Sequence, residues 1–417
     1  MKKYDVIVVG GGLSGVASAI SASREGAKVL IVEKGNAFGG AAVNCLVNPF
    51  MPNLTKINGE YVELTGGIYQ TIYQTLKDRK VAYNRRFLEE ELKILLNELI
   101  LENNVDVLFH AYLFKANKKG GKVTSISLAT KSGELKVKAD YYIDATGDGQ
   151  LAYLLGCPFV LGRESDNLCQ PMTLTFRLGN VDIDAYNKSK KDLDIAYEKA
   201  YKNGEFINPR ENILTNSIDV AKGVLNFNST RVVKLDPTSP FDVTKAEIIA
   251  RKQVDELYKF VKKHAKGLDN SFLLATASEI GVRESRKIIG EYLLTEKDCR
   301  AFTKFSDSIC ACNYDIDIHS PDGAGTSHYY FPEGEYYTIP YRCLIPKTVN
   351  NLLIAGRCIS ADHGAQASFR IMPVVCSIGE GAGTAIGMAV KNKCAPKDIS
   401  VKQLQEKLTQ YGAFLGI

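Results

Sequence analysis

Tyr4-Asp5-Val6-Ile7-Val8-Val9 runs directly into Gly10-Gly11-Gly12-Leu13-Ser14-Gly15, and the small-residue run Val16-Ala17-Ser18-Ala19-Ile20-Ser21-Ala22 follows. An apolar β-branched run, a glycine turn and a run with helical potential predict strand, turn and helix. A second β-rich run, Lys28-Val29-Leu30-Ile31-Val32, ends in Glu33 about 20 residues past the glycines, the spacing of a dinucleotide fingerprint. Gly10 permits the tight turn, Gly12 lets the backbone approach a pyrophosphate, and Gly15 lets the helix lie close to the strand. The helix start at Leu13 and Ser14 offers free N–H groups to phosphate. Glu33, with Lys34 behind it, can accept hydrogen bonds from a ribose diol, and its charge repels a 2′-phosphate, which favours FAD or NAD over NADP. A Gly-x-Gly-x-x-Gly by itself is a common turn; here strand, spacing and acid agree.

Gly39-Gly40-Ala41-Ala42 comes next, a run small enough for a ring system or its phosphates to lie against the backbone. A β-meander is predicted from Val105-Asp106-Val107-Leu108-Phe109 through Lys122-Val123-Thr124-Ser125-Ile126-Ser127-Leu128, with turns at Gly120-Gly121 and Ser132-Gly133. Tyr112 and Leu113 within it are candidate cofactor contacts. The strand Tyr141-Tyr142-Ile143-Asp144 then enters a second glycine turn, Ala145-Thr146-Gly147-Asp148-Gly149, whose first three residues join the candidate cofactor set. Near the C-terminus Asn351-Leu352-Leu353-Ile354-Ala355-Gly356 reads as a buried parallel strand. Pro373 suits the first turn of a helix carrying Gly379, Gly381, Gly383 and Gly387, glycines expected where backbones pack closely.

The 417 residues, 45% hydrophobic and 24% charged, describe a globular chain of two or three units, or one core with a long insertion. The formal charge of +5 is spread over interspersed signs, which disfavours nucleic acid as a partner. No uninterrupted apolar stretch reaches the roughly 18 residues of a membrane span, and Val6 to Val9 is too short for a signal peptide; no membrane association and a cytoplasmic location are expected. The ten cysteines lack disulfide-scaffold, zinc or iron–sulfur spacing, so reduced thiols and no metal are expected, Cys310-x-Cys312 included. An isolated Cys45 reads as a small buried hydrophobe.

Added to these glycine motifs, Gly281-Val282-Arg283-Glu284-Ser285-Arg286-Lys287-Ile288-Ile289-Gly290, Ala355-Gly356-Arg357-Cys358-Ile359-Ser360-Ala361-Asp362-His363 and Gln366-Ala367-Ser368-Phe369-Arg370-Ile371-Met372-Pro373 carry a family resemblance. The chain resembles the bacterial FAD-dependent oxidoreductases of the glutathione-reductase-like flavoprotein superfamily, over nearly its whole length. The resemblance implies FAD and an α/β fold: a Rossmann-like FAD-binding domain with parallel sheet and β-meander, plus an inserted α+β substrate domain. The expected boundaries are 1–50, 80–160 and 345–417 for the FAD-binding domain, and 161–344 with 51–79 for the substrate domain. It also implies that Gly356 and Arg357 border the cofactor and that the backbone of Arg370, Ile371 and Met372 lies at the flavin pyrimidine edge, where a helix dipole favours negative charge. No second strand–glycine–helix fingerprint with a trailing acid appears, so a separate nicotinamide domain is not expected. The CxxxxC redox pair of the disulfide reductases is absent as well.

In the insertion, Met172-Thr173-Leu174-Thr175-Phe176-Arg177-Leu178 alternates as a strand, and Thr244-Lys245-Ala246-Glu247 matches a capping box opening a long helix with a solvated lysine face. Candidate catalytic groups are His363, Arg283 and Arg286. His363 precedes the flavin-edge helix and can take a substrate proton, or else is a loop histidine bonded to backbone. Arg283 and Arg286, three apart on a predicted helix and facing one way, can clamp an anion or pair with Glu279 and Glu284. His319, His328, Tyr330, Tyr336 and Tyr337 fall in a segment that either lines the pocket or is a surface excursion. The expected activity is hydride transfer between a small organic substrate, neutral or anionic, and flavin N5. A flavoprotein acting on tRNA and a non-catalytic flavin redox sensor are the alternatives. The sequence specifies neither the substrate, the electron donor or acceptor, nor an oligomeric state.

Overall fold

A computed structural model describes residues 3–417. The segment that opened the sequence reading forms β1 (Tyr4–Val9) and α1 (Leu13–Arg24), and the next apolar run forms β2 (Val29–Val32). A five-stranded sheet is built around them in the order Leu352–Ile354, Ala139–Asp144, β1, β2, Asp106–Leu108, every pair parallel. Its central strands are apolar and buried on both faces, as parallel strands covered by helices must be. The register aligns Val9 with Asp144 and Val32, so the turns carrying Gly10, Glu33 and Ala145 leave the same edge of the sheet. Gly356 leaves that edge too, because Ile354 pairs with Asp144 and Ala355 N–H donates to Asp144 O at 2.8 Å. The carboxyl edge of such a sheet is where ligands bind.

Asp106–Leu108 corrects the sequence reading. It is the outer strand of the parallel sheet, with Val107 beside Ile31, because the helix Glu89–Glu102 returns the chain parallel to β2. The meander is therefore Tyr112–Lys119, Lys122–Thr130 and Gly133–Val137, antiparallel throughout.

The helix Met372–Asn392 lies against α1, and its glycines make that contact possible. A Cβ placed at Gly379 would sit 2.1 Å from Ser14 O, one at Gly383 2.2 Å from Ser18 O, and one at Gly387 2.4 Å from Glu25 Cβ. Ser18 Oγ donates to Gly379 O at 2.9 Å across the seam. By length and composition this helix could cross a membrane, yet 89% of its apolar stretch is buried within the protein.

Glu380, on the same helix, is 1% exposed. One carboxylate oxygen accepts Ile68 N–H at 3.1 Å and the other has no partner. Burial pushes its pKa up to about 7. The folded value exceeds the unfolded one, about 4.3, so the folded state gains protons between them. The resulting stability is complete below the unfolded value and is lost as pH rises through about 7. Glu380→Gln is expected to remove this dependence, gaining on the parent by roughly 3 kcal/mol between pH 4 and pH 8. Urea unfolding at both pH values checks it; identical pH dependence in the two proteins would contradict it.

A second hydrophobic core runs from Met172 to Ile280. Its antiparallel sheet has the order Thr215–Ser217, Leu225–Phe227, Phe176–Gly179, Phe272–Thr276, packed with the helices Ile183–Lys202 and Pro240–His264. The first core takes in Ile68, Tyr69 and Leu76 as well as Ile288, Leu294 and Tyr337, side chains from segments that the sequence boundaries group with the insertion. The long helix starts one turn earlier than the Thr244 capping box predicts. Ser239 caps it, Pro240 occupies the first turn, and Thr244 Oγ1 donates back to Pro240 O at 2.8 Å. The two cores are joined by an ion pair between Arg177 and the buried Glu89, which also accepts from Asn48 Nδ2 at 2.9 Å.

Candidate functional site

The glycine turn leaves no room for side chains. A Cβ at Gly10, whose φ is +105°, would lie 2.4 Å from Ala145 O, and one at Gly15 would lie 1.8 Å from Gly10 O. α1 begins at Leu13 with Gly12 as its cap residue and no side-chain cap. Its first N–H groups are left for a ligand. Ser14 Oγ is buried there without a hydrogen-bond partner, 3.5 Å from where a Gly356 Cβ would stand. Gly39 N–H donates to Gly11 O at 2.9 Å, and a Cβ at Gly40 would come within 2.9 Å of Gly12 Cα. α2 (Ala41–Asn44) starts immediately after with Ala41 and Ala42.

Glu33 is held at the strand end, accepting Gly11 N–H at 2.6 Å and Gly35 N–H at 2.7 Å. A carboxylate has about four acceptor positions, so capacity remains for a ribose diol. Lys34 turns away to Glu279 at 2.9 Å. Ala111 N–H donates to Glu33 O, which brings the start of the meander, half-exposed Tyr112 and buried Leu113, alongside the acid. On the other side Thr146 N–H and Oγ1 both bond the fully buried Asp144. Gly147 lies under Arg357, whose Nη1 is 2.6 Å from a Gly147 Cβ position. Arg357 Nη2 bonds Asp148 at 2.7 Å while its Nε is buried and unpaired.

A glycine-lined edge, an uncapped helix start and two orphaned polar atoms, Ser14 Oγ and Arg357 Nε, fit a bound dinucleotide.

The helix His363–Phe369 ends at Arg370, and Ile371 begins Met372–Asn392 without a side-chain cap. Arg370 Nη2 pairs with Asp317 at 3.1 Å. His363 Nδ1 bonds Glu284 at 2.8 Å. Glu284 also pairs with the buried Lys287 and accepts Gln170 N–H at 3.0 Å. Burial alone would raise its pKa, but His363 and Lys287 outweigh it and hold the carboxyl below its ordinary value.

Arg283 and Arg286 are not on a helix. Arg283 lies in a bend, while Arg286 opens the strand Arg286–Ile288, paired with Phe159–Leu161. An extended backbone separates the two guanidinium groups. Arg286 stacks 4.0 Å above the Tyr153 ring and reaches Gln150 at 3.4 Å. Arg283 instead donates to Pro171 O at 2.8 Å and Thr173 Oγ1 at 2.6 Å. Their predicted carboxylate partners are otherwise engaged, Glu279 by Lys34 and Glu284 by Lys287 and His363.

Asp317 and His319 meet at 3.4 Å, beside Arg370. The sequence reading names His319 but not Asp317, although Ile316-Asp317-Ile318-His319 alternates and so puts the two on one face of a strand. His328 bonds Asp315 at 2.5 Å, Tyr330 is exposed, and Tyr337 is buried on Ser368 at 2.9 Å. All ten cysteines are free and nine are buried; burial pushes the Cys45 thiol up to about 12.

Comparison with known proteins matches the family model described as FAD dependent oxidoreductase across residues 5–408. A soluble pyridine nucleotide transhydrogenase from Mycobacterium bovis is 28% identical over 161 residues, 35% of this chain and 31% of the relative. Glutathione reductase from Debaryomyces hansenii is 56% identical over 45 residues, 11% of this chain and 9% of the relative. The chain thus spans less than a third of the length of these curated relatives. Among solved structures, a geranylgeranyl bacteriochlorophyll reductase-like protein from Thermoplasma acidophilum is 16% identical with a TM-score of 0.47, over 98% of this chain and 83% of that one. Because the family match extends over both cores and every glycine turn of the site, the chain belongs to the FAD dependent oxidoreductases.

Proposed function

We propose that this oxidoreductase exchanges a hydride with a small organic substrate held beside the junction of the helices His363–Phe369 and Met372–Asn392. The observation that carries the reading is the unpaired Ser14 hydroxyl at the uncapped start of α1, since a buried hydroxyl without a partner in its own chain calls for a ligand oxygen. FAD, when bound, supplies the two-electron exchange at N5 of its ring. The N–H groups of Leu13 and Ser14 would hold its pyrophosphate and Glu33 its ribose, with Tyr112 and Leu113 alongside. Gly39 to Ala42, Ala145 to Gly147 and Gly356-Arg357 would give it backbone to lie against. Arg370, Ile371 and Met372 bring the positive end of a helix dipole to the same region.

Glu284 fixes the His363 ring through Nδ1, which leaves Nε2 to hold or move a substrate proton. In this role Glu284 is a positioning residue. Anaerobic titration of flavin-loaded protein with candidate hydride donors, read at the visible flavin band, tests the proposal. Bleaching by a small organic donor is expected, slowed in His363→Gln. Absence of bleaching by any donor, together with no reoxidation of chemically reduced protein by any organic acceptor, would overturn it.

A further inference from the structure

Beside the Arg370–Met372 junction four guanidinium groups from four separate segments converge: Arg210, Arg231, Arg283 and Arg370. They are close enough that Arg283 feels the charges of the other three and of Asp317. Two have a carboxylate partner. Arg231, 1% exposed, donates to Gly325 O at 2.8 Å and Thr326 Oγ1 at 3.1 Å, lies 3.2 Å from His319 Nδ1, and faces Glu211 at 3.6 Å. Arg370 has Asp317.

Arg210 and Arg283 are different: neither has a carboxylate at ion-pair distance among the described residues. Arg283 makes only neutral contacts, to Pro171 O, Thr173 Oγ1 and, at 3.4 Å, Asn228 Oδ1. Arg210 is 4% exposed, spends Nε on Asn212 Oδ1 at 2.9 Å, and has its Nη1 buried with no partner at all. Nearby acids compensate them only in part: Asp317 is felt by both but is paired with Arg370 and His319, Glu211 is felt by Arg210 but faces Arg231, and Asp315 is taken up by His328. His319 adds no positive charge at neutral pH, since burial and then Arg283 push its pKa down to about 3. Burial and the neighbouring arginines likewise press Arg283 down to about 9. Buried cations without counter-charge are costly, and a chain keeps them where a ligand supplies the charge.

We propose that Arg210 and Arg283 bind a carboxylate of the substrate, which is therefore a small organic acid. The inference rests on the hydride-transfer reading above, which makes the bound acid a substrate and not merely a ligand. A planar, singly charged carboxylate matches guanidinium forks, whereas a phosphate dianion would also have to tolerate Asp317 nearby.

The test uses flavin-loaded protein titrated with propionate, benzoate, benzamide and inorganic phosphate, read by thermal unfolding and by the flavin band. A carboxylate is expected to raise Tm by about 2 °C or more and to perturb the band, with benzamide and phosphate inert. Arg210→Met is expected to weaken carboxylate binding about 10- to 100-fold while raising the ligand-free Tm, because it removes a like charge buried near Arg283. A purely structural arginine would lower that Tm. Arg283→Lys keeps a cation and is expected to weaken binding with the fold intact, so the test does not depend on one variant. Flavin-loaded protein that ignores both carboxylates, responds equally to phosphate, or binds carboxylate unchanged in both variants would overturn this inference alone. Protein that cannot hold FAD would overturn the reading beneath it.

Discussion

Glu284→Ala is expected to cost about 3–5 kcal/mol of folding stability, because it strands a buried ammonium and a histidine at once. Glu284 is fully buried and Lys287 is 1% exposed, so Lys287 would keep only its bond to Gly162 O at 3.0 Å. Gln170 N–H would lose its acceptor, and His363 its anchor. Urea unfolding midpoints at neutral pH measure the loss, and a cost under about 1 kcal/mol would mean that Lys287 is not held by this carboxylate. The sign of the pH dependence follows from the depressed folded pKa. The stabilisation is present above the unfolded value, about 4.3, and is lost as pH falls through the folded one. The gap between parent and variant should therefore narrow in acid.

Gly15→Ala is expected to cost roughly 3 kcal/mol and to reduce bound FAD at least about tenfold. The added methyl carbon would lie 1.8 Å from Gly10 O and 3.3 Å from Ala145 Cβ, both parts of the turns that line the sheet edge. α1 must move out from the sheet to admit it, carrying its free N–H groups and Ser14 Oγ away from where the pyrophosphate of FAD would lie. Gly323→Ala serves as the control, since no atom lies within 4 Å of its Cβ position. It should stay within about 0.5 kcal/mol of the parent and retain its flavin. Flavin content from absorbance and unfolding midpoints for both variants check this; equal flavin content in Gly15→Ala would contradict the close-approach account.

What could be read from the sequence was what short stretches of chain determine. β1, the glycine turn, α1 and β2 are neighbours in sequence, and Gly379, Gly383 and Gly387 announce close packing by their spacing of four. The family match and its FAD follow from the same motifs. Pairings across long separations could not be read. Asp106–Leu108 looks like the first strand of a meander until its partner β2 is known. Arg283 and Arg286 look helical because the spacing of three suits a helix, and only the pairing with Phe159–Leu161 makes Arg286 extended. Arg210 and Arg231 come from loops with no motif of their own, and no local pattern could have joined them to Arg283. The long helix opens at Ser239–Pro240, ahead of the Thr244 capping box read from the sequence, because the serine caps the helix and the proline suits its first turn.

The central claim is that the cradle of Gly10–Gly15, Glu33 and Gly39–Ala42 holds FAD, and the visible absorbance spectrum of the purified protein tests it most directly. A yellow protein with an oxidised-flavin band, whose extracted chromophore matches FAD in mass, is the predicted result. A colourless protein that stays colourless after incubation with FAD and desalting would contradict it.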